Sequence, residues 1–377
     1  MKTLSDFNFK NKTVILRSDL NSDVIKGKII PSERIKESAE TIKELKNKGA
    51  KVIVIAHQGS PGKEDFISLK QHSKILKKYT KIKFVKDIIG KKAISKIKNL
   101  KPGKAILLEN IRFEKEEFKT DKKNYLIGKL SSLADFYVND AFSVCHREQA
   151  SIVLFPKYLE SCAGRLLEKE VNALKKLKIK NCLYILAGAK PSDNLKLMKE
   201  KKILACGLFG QMCLIAKGKK LGAQEVYLRN IIKDFGKIIG ILKNKQKNVM
   251  TPIDFAVKFK GKRKEIGLED FPVNFEIFDI GEKTINIFVK EIKKAKAIYM
   301  KGPAGDCSNK NFRKGTFKIL KAISESKGFS VIGGGHLSDA IEKSKIDKNK
   351  FNHVSLSGGA LLNYIAGEKL PGLEALK

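Results

Sequence analysis

Segments typical of buried β-strands alternate with amphipathic helical segments along this chain of 377 residues. In the first half, five strand patterns cover residues 12–20, 51–56, 82–85, 105–109 and 135–139. Helical patterns lie between them at residues 32–48, 70–79, 87–98 and 124–134, the first with Ser32 as N-cap and Gly49 as its stop. Strands joined by helices form βαβ units with parallel strands, so the alternation predicts an α/β fold.

A long amphipathic helical segment at residues 163–177 interrupts the alternation, which then restarts. The strand patterns of the second half cover residues 182–187, 203–205, 248–257, 275–280, 297–300, 329–332 and 354–356. The chain is also too long for one ordinary core. We therefore predict two doubly wound parallel-sheet (Rossmann-like) domains, joined by a helix and separated by a cleft. The predicted boundaries are 1–162 for the first domain, 163–178 for the helix, 179–355 for the second domain and 356–377 for a segment returning toward the first.

Composition narrows the function classes. Hydrophobic residues make up 42% of the chain, no apolar run reaches membrane-spanning length, and the N-terminus lacks a signal-peptide pattern. The six cysteines form no C-x-x-C pair and predict reduced structural thiols. We expect a cytoplasmic protein with no membrane partner.

The charge balance is extreme, with 77 basic and 40 acidic residues and a net charge of +37. The basic residues are dispersed, without a basic tail or an arginine-rich run, which favours solvated surface over a specific nucleic-acid site. A nucleic-acid-associated basic protein remains the third-ranked hypothesis. The chain has eight arginines: Arg17, Arg34, Arg112, Arg147, Arg165, Arg229, Arg263 and Arg313. Because the other basic residues of this chain are lysines, each arginine indicates a position that uses the planar, bidentate guanidinium group.

Polar and glycine-rich residues follow the strands at their carboxyl ends, where open parallel sheets bind ligands. In the first half these residues are Asp19, Asn21, His57, Arg112, His146 and Arg147. The second half instead has glycine-rich segments at residues 187–190, 207–210, 301–305, 333–336 and 357–359. The first edge suits a small phosphorylated acid, and the second suits a nucleotide approached by backbone N–H groups. Two anion sites of different character suggest phosphoryl transfer between two ligands.

The sequence FSVIGGGHLSDA, residues 329–340, is the most distinctive of these segments. Glycines between a strand and a helix start permit close backbone approach to a phosphate. Taken alone, the segment is equally consistent with a tight strand-to-helix turn.

Many motifs, in order and spacing, resemble those of phosphoglycerate kinases across residues 3–376. They include LRSDLN, AHQG-P, LLENIRF, VNDAF, AGRLLEKE, GAK, DIG-KT, KGPAG, SVIGGGH and LPGLEAL. AHQG and GGGH are similar to the archaeal branch. The resemblance implies reversible phosphoryl transfer between 1,3-bisphosphoglycerate and ADP by domain closure and electrostatic stabilisation. ATP and ADP would be substrates and Mg²⁺ would be held mainly by the nucleotide, with no protein ligand assigned. We expect a monomer acting on small molecules, with no specific nucleic-acid partner.

Residue by residue, the resemblance implies two binding sites. The acid site comprises Asp19, Asn21, Arg34, His57, Gln58, Gly59, Ser60, Arg112 and Arg147. The nucleotide site comprises Lys190, Asn194, Gly302, Ser308, Gly333, Gly334, Gly335 and His336. The catalytic set is Arg34, Lys190, Gly358 and Gly359. His72 lies outside these motifs and is expected at the surface, and His353 is expected to be structural.

Several positions depart from the family pattern. Ser60 replaces an arginine, Ser308 replaces the glutamate placed on the ribose, and Phe209 replaces a small residue near the adenine pocket. Lys301 replaces the asparagine of N-G-P, Asn194 stands where a lysine is often found, and Ser357 replaces a glycine. These departures motivate a second hypothesis, an impaired or repurposed relative that binds anions with weak or altered nucleotide use.

Overall fold

The computed structural model describes residues 1–121, 123–177, 182–198 and 202–377. It divides into two compact units, one formed by Met1–Asn172 with Gly367–Lys377 and the other by Ala173–Ala366. The long helix predicted between two domains extends over Arg165–Lys176 and crosses the unit boundary. Its predicted end at residue 178, and the predicted domain start at 179, lie outside the described residues. Within the segment predicted to return toward the first domain, Gly367–Lys377 belongs to the first unit.

The first unit contains a six-stranded sheet, a short hairpin and flanking helices. Its strands are β1 (Thr13–Ser18), β2 (Val24–Ile25), β3 (Lys28–Ile29), β4 (Lys51–Ile55), β5 (Lys83–Phe84), β6 (Ala105–Leu107), β7 (Phe136–Asp140) and β8 (Glu160–Ala163). Its helices are α1 (Glu33–Asn47), α2 (Lys70–Leu76), α3 (Lys91–Lys98), α4 (Tyr125–Ser131), α5 (Ala150–Val153) and α6 (Arg165–Lys176). The sheet is parallel, in the order β5-β6-β4-β1-β7-β8, and β2 pairs with β3.

The second unit is built around another six-stranded sheet. Its strands are β9 (Cys182–Leu186), β10 (Ile203–Ala205), β11 (Val249–Met250), β12 (Asp254–Phe259), β13 (Lys262–Gly267), β14 (Ile277–Ile280), β15 (Ala297–Lys301), β16 (Phe329–Gly333) and β17 (His353–Ser355). Its helices are α7 (Pro191–Leu195), α8 (Gly207–Ala216), α9 (Ala223–Ile231), α10 (Phe235–Lys245), α11 (Glu282–Lys294), α12 (Lys314–Ser324), α13 (Gly335–Ser344) and α14 (Gly359–Ile365). A last helix, α15 (Pro371–Glu374), belongs to the first unit.

The main sheet of the second unit is parallel, in the order β11-β10-β9-β15-β16-β17. Counted within the sheet this is 3-2-1-4-5-6, the order of a doubly wound dinucleotide-type fold. The prediction of two doubly wound parallel sheets is therefore confirmed. In each unit buried apolar side chains pack the sheet against its helices, for example Val14, Leu16 and Ile35 in the first and Ile185, Ile298 and Phe288 in the second.

The single strand predicted at residues 248–257 is wrong. The segment forms two strands in different sheets, β11 and β12, separated at Thr251–Ile253. Pro252 lacks an N–H donor and cannot continue a central strand. The strand predicted at residues 275–280 is β14, which pairs antiparallel with β12 instead of joining the main sheet. β13, rich in charged residues and largely exposed, was missed because an edge strand need not be apolar.

Helix α1 begins and ends as predicted, but its cap differs. Ser32 occupies the N-cap position without a side-chain capping bond. Its hydroxyl instead lies 2.8 Å from that of Ser22. Gly49, with φ of 77°, follows the helix in a left-handed conformation that a glycine adopts without strain.

Among the described residues, no helix has both the length and the apolar character needed to cross a bilayer.

Candidate functional site

The side chain of His57, at the end of β4, contacts the fully buried side chain of Arg17 on β1. Nη2 of Arg17 lies 3.2 Å from Nδ1 of His57. A guanidinium group has only donors, so Nδ1 accepts and the proton of a neutral imidazole resides on Nε2. His57 can therefore offer an N–H donor to an anion.

Four arginines create a strong positive potential around His57. Burial lowers the pKa of His57 well below its ordinary value, and four guanidinium groups add to the shift: Arg17, Arg112, Arg34 and Arg147. A neutral ring in such surroundings avoids adding a fifth cation. Three of these arginines were predicted to bind the acid, and the structure brings them to one edge of the first sheet.

Arg112 lies on a 3₁₀ turn, Ile111–Phe113, directly after β6, and is only 4% exposed. Its Nη1 donates to the Gly59 carbonyl oxygen at 2.5 Å, and its Nη2 donates to Oε1 of Gln149 at 3.2 Å. Within the described residues its buried Nε has no hydrogen-bond partner. Burial, with Arg17 and Arg147 nearby, lowers the pKa of Arg112 to about 10. Such a buried cation favours binding an anion.

Asp19 and Asn21, in the segment after β1, lie beside Arg34 of α1. Nη1 of Arg34 is 3.6 Å from Oδ1 of Asp19 and 3.4 Å from the carbonyl oxygen of Asn21. The amide oxygen of Asn21 accepts from the Gly59 N–H at 2.9 Å. These contacts join the segments after β1 and β4. The arrangement places a carboxylate next to cations, as recognition of an acid carrying a hydroxyl group requires.

Gln58 is fully buried and its amide is saturated by protein groups. Oε1 accepts from the Ser22 N–H at 2.9 Å and lies 3.0 Å from Nε2 of His72. Nε2 of Gln58 donates to the carbonyl oxygens of Ser22 and Asp65. His72 is therefore buried, and its predicted surface location is wrong because its ring pairs with this amide. Through these hydrogen bonds Gln58 holds the segment after β4 in place.

Gly59 and Ser60 complete that segment. Gly59 has φ of 66°, and an added Cβ would overlap the carbonyl group of Asp65, so only glycine fits. The Ser60 hydroxyl lies 3.4 Å from Nη1 of Arg112. The position where the family pattern has an arginine is thus already next to a guanidinium.

Arg17, Ser151 and Glu117 form a buried relay that was not among the predicted site residues. Nε of Arg17 donates to Oγ of Ser151 at 2.9 Å, and that hydroxyl donates to Oε1 of Glu117 at 2.8 Å. Burial raises the pKa of Glu117, while Arg17 and Ser151 oppose the rise. Arg17 could have been found from the sequence as one of the few arginines at a strand end. Nothing in the sequence linked Glu117 or Ser151 to it.

In the second unit, strand order brings the glycine-rich segments together. Lys301 at the end of β15 pairs in register with Leu186 of β9 and Gly333 of β16. The segments after these strands therefore meet at one sheet edge. β9 and β15 also flank the point where strand order reverses, which is where doubly wound sheets bind ligands.

A cavity of about 470 Å³ adjoins this edge. It is lined mainly by the start of α8, by one face of α13 and by the segment after β15, including Gly207, Leu208, Pro303 and Ala340. Of the predicted nucleotide residues, Ser308 and His336 line it. Gln211, Tyr227 and Glu276 also line it and were missed, since they lie outside the recognised motifs.

Phe209 and Ser308 are two of the positions that depart from the family pattern. Phe209 is fully buried and is not among the residues lining the cavity, so it neither fills the cavity nor offers a stacking face. Ser308 donates its hydroxyl to Oδ1 of Asp306 at 2.6 Å. Asp306 itself lines the cavity. A carboxylate is thus present two residues from the position where the family pattern has one.

The glycines of the GGG segment have different environments. An added Cβ at Gly333 would lie 2.6 Å from a Leu361 methyl carbon and 3.2 Å from the Tyr299 side chain, so a larger residue here would force these neighbours to shift. Gly334, the N-cap of α13 with φ of 107°, and Gly335 have no atom within 4 Å of an added Cβ. Space is therefore open beside the N-terminus of a ten-residue helix, which suits a phosphate.

Four more of the predicted residues lie at the same edge: Lys190, Gly302, Gly358 and Gly359. Gly358 and Gly359 are exposed at the start of α14, after β17. Ser357 is buried, with its N–H donating to the Ser355 hydroxyl at 3.1 Å. Lys190 is exposed at the N-cap of α7, and Gly302, with φ of 77°, packs its Cα against the segment after β9. His353 is buried on β17.

The described residues contain no group of three or more His, Cys, Asp or Glu side chains that could hold a metal ion. Of the six thiols, which are all free, five are buried.

Comparison with known proteins gives one consistent result. A family profile described as "Phosphoglycerate kinase" matches residues 4–368. The phosphoglycerate kinase of Methanothermus fervidus is 41% identical, with 100% of this chain and 96% of that protein covered. That of Pyrococcus furiosus is 42% identical, with 100% and 97% covered.

Solved structures agree. The crystal structure of phosphoglycerate kinase from Pyrococcus horikoshii has a TM-score of 0.90 and 38% identity, covering 100% of this chain and 98% of that one. The structure of phosphoglycerate kinase from Coxiella burnetii has a TM-score of 0.84 and 28% identity, with the same coverage.

Proposed function

Because the chain belongs to the phosphoglycerate kinase family, we propose that its arginine cluster binds 3-phosphoglycerate and its second unit binds the nucleotide. The chain is a phosphotransferase with a carboxyl group as acceptor. It transfers the acyl phosphate of 1,3-bisphosphoglycerate to ADP and catalyses the reverse reaction with ATP. The observation that carries the assignment of the acid site is the convergence of four arginines on the neutral His57.

In the proposed acid site, charge and hydrogen-bond direction match the ligand. The buried Arg112, the exposed Arg147 and the Nε2–H of His57 donate to the phosphate and carboxylate oxygens. Asp19 accepts from the hydroxyl group of the acid. Asn21, Gln58 and Gly59 hold the segments after β1 and β4 in place, with Ser60 beside Arg112.

In the proposed nucleotide site, the base occupies the cavity between α8 and α13. Asp306 takes the place of the carboxylate that Ser308 lacks. The phosphates lie at the open backbone of Gly334 and Gly335, with His336 at their side. Gly302 packs closely against the backbone of Ala187 and Gly188, which keeps these strand ends close enough for the backbone to reach the phosphates.

The chemical step needs two reactants held in line, charge neutralised on the transferring group, and water excluded. Arg34, Lys190 and the N–H groups of Gly358 and Gly359 supply that charge. No general base is required, because the attacking oxygen belongs to a carboxylate or to a nucleotide phosphate.

Mg²⁺ enters with the nucleotide in this proposal. His336 offers a nitrogen, a poor ligand for this hard cation, while nucleotide phosphates and water offer oxygens. When bound, the ion supplies charge neutralisation for the phosphates.

We further propose that the protein acts as a cytoplasmic monomer without a specific nucleic-acid partner. Gel filtration tests the oligomeric state. Any binding to duplex DNA should be weak, independent of sequence and steeply salt-dependent, because it would arise from dispersed lysines. Tight binding to one DNA sequence at physiological salt would contradict this.

An assay of 3-phosphoglycerate and ATP, coupled to product removal, tests the function directly. Calorimetric titration with each ligand separately tests the two sites. We expect turnover and binding of both ligands. Acid binding without nucleotide binding would favour the repurposed relative, and binding of neither would contradict both hypotheses.

A further inference from the structure

Lys301, the last residue of β15, has a largely buried side chain with only 18% of its area exposed. Its Nζ lies 3.1 Å from Oδ1 of Asn194 and 3.5 Å from Oδ2 of Asp193. An ammonium group has three N–H donors, and these two contacts use two of them. Burial lowers its pKa, which is the cost of holding a cation there.

Asn194 fixes the direction of this contact. It is fully buried, and its Nδ2 donates to the carbonyl oxygen of Ala187 at 3.1 Å. With the amide nitrogen occupied on the segment after β9, the amide oxygen is directed at Lys301. The ammonium is thereby held in one place before any ligand arrives, which reduces the entropy cost of using it.

The position of Lys301 is at the point where strand order reverses in the second sheet. In register it lies between Leu186 and Gly333, so it separates the segment carrying Lys190 from the GGG segment. The charge of Lys190 is near enough to oppose protonation of Lys301. The positive charges of Lys190 and Lys301 therefore repel each other at this edge, and the carboxylate of Asp193, itself 40% exposed, lies 3.5 Å from Nζ of Lys301. An anion bound at this edge would relieve their repulsion.

We propose that Lys301 is a second phosphate-binding cation, whose Nζ contacts the terminal phosphate of the nucleotide together with Lys190. The proposal rests on the proposed nucleotide site. Positions 194 and 301 both depart from the family pattern described above, and the structure places the two departures in contact. The ammonium group comes from β15 and the amide from α7. A phosphate-binding role explains why a lysine is buried at a position where an uncharged residue would have a smaller desolvation cost.

Lys301→Met is the first test, because it keeps the length of the side chain and removes its charge. Dissociation constants for ATP, AMP and 3-phosphoglycerate are measured by calorimetry on the full chain. A lost charge-assisted hydrogen bond predicts that the Kd for ATP rises about 10- to 100-fold. The Kd for AMP, which has no terminal phosphates, and that for 3-phosphoglycerate should stay within about twofold. Lys321→Met, on the exposed face of α12, is the matched control and should change none of them.

The exchange variant Asn194→Lys/Lys301→Asn is the second test. Lys301→Asn alone should weaken ATP binding as Lys301→Met does. Because the two side chains touch, the exchange returns an ammonium group to nearly the same place, and the ratio of ATP to AMP affinity should recover to within a few-fold of the original. If Lys301→Met does not fold, the exchange variant still tests whether an ammonium group at this place contributes to ATP binding.

Two outcomes would overturn the proposal. Unchanged ATP binding in Lys301→Met would make Lys301 a structural ion pair, and equal losses for ATP and AMP would make it a packing residue. Neither is confused with failure of the proposed function, in which the unaltered chain itself would not bind ATP.

Discussion

Arg17 and His57 form a buried contact in which the guanidinium donates to Nδ1 of the imidazole across 3.2 Å. The contact fixes which ring nitrogen carries the proton and leaves Nε2–H for a ligand. Arg17 is in turn held by the hydroxyl of Ser151, which Glu117 orients. A fully buried ion relay thus determines the hydrogen-bond direction of a residue at the proposed acid site.

The first prediction concerns that N–H donor. His57→Gln places an amide nitrogen near the position of Nε2, whereas His57→Asn places one nearer Nδ1, so only the first keeps the donor. We expect His57→Asn to raise the Kd for 3-phosphoglycerate about tenfold and His57→Gln to raise it much less. Since the pKa of His57 is held well below its ordinary value, affinity should show no histidine-dependent change between pH 6.5 and 8. Calorimetry across that range checks both points, and equal losses in the two variants would refute the role of Nε2–H.

The second prediction concerns Arg112. Lysine keeps the charge but cannot span the Gly59 carbonyl and the Gln149 amide while also presenting a donor to the acid. Arg112→Lys should raise the KM for 3-phosphoglycerate about 10- to 100-fold, with a smaller effect on kcat. Arg34→Ala should instead lower kcat strongly, because Arg34 is proposed to act on the transferring group. Arg229→Lys, a surface ion pair in the second unit, is the control for arginine replacement. An unchanged affinity in Arg112→Lys would remove Arg112 from the site.

The third prediction concerns pH and stability at Asp140, where β7 ends. Oδ1 of Asp140 accepts from the Leu166 and Leu167 N–H groups of α6, and burial raises the pKa of Asp140 to about 7. Between about pH 4 and pH 7 the folded protein therefore holds a proton that the unfolded chain has released. The free energy of unfolding should fall as pH rises through this window, by at most about 1.4 kcal/mol per pH unit from this group.

Asp140→Asn keeps an acceptor for α6 but cannot ionise, so it should flatten that dependence. Urea unfolding at pH 5, 6, 7 and 8 measures the difference between the two proteins. Asp279, whose pKa burial raises to about 6, contributes with the same sign in both proteins and cancels. A difference that does not vary with pH would contradict the prediction.

The fourth prediction separates two neighbouring glycines. Gly333→Ala should destabilise the second unit by about 1–3 kcal/mol, because its Cβ meets Leu361 and Tyr299. Gly335→Ala meets no protein atom within 4 Å and should leave stability nearly unchanged. It should nevertheless weaken ATP binding, since its methyl group enters the space proposed for phosphate. Thermal unfolding and ATP titration of both variants check this, and unchanged ATP binding in Gly335→Ala would move the phosphates elsewhere.

The sequence predicted the two units to different extents. Strand ends carrying Asp19, His57 and Arg112 were predictable, because parallel order brings carboxyl ends together. The antiparallel sheet of β12, β13 and β14 was not predictable, since the pattern of residues 248–257 is continuous while Pro252 divides it between sheets. The buried state of His72 and the relay through Ser151 and Glu117 depend on contacts across distant segments. A strand or helix pattern reports which face is apolar, but a polar pair buried within the core leaves no periodic signal.

The last prediction concerns the ribose end of the proposed nucleotide site. Oδ1 of Asp306 accepts from both the N–H and the hydroxyl of Ser308, and within the described residues Oδ2 has no hydrogen-bond partner. If Oδ2 accepts from a ribose hydroxyl, Asp306→Asn should raise the KM for ATP about tenfold with little change in kcat, since such a contact binds ground and transition state alike. The KM for an ATP analogue lacking the bonded hydroxyl, either 2′-deoxy or 3′-deoxy, should change little.

Ser308→Glu would add a second carboxylate beside Asp306 and break the bond that orients it, so it should not lower the KM. Asp270→Asn, an exposed residue of the same unit, controls for the loss of one charge. A rise in KM that is equal for ATP and for both analogues would assign Asp306 to the shape of the cavity and not to the ribose.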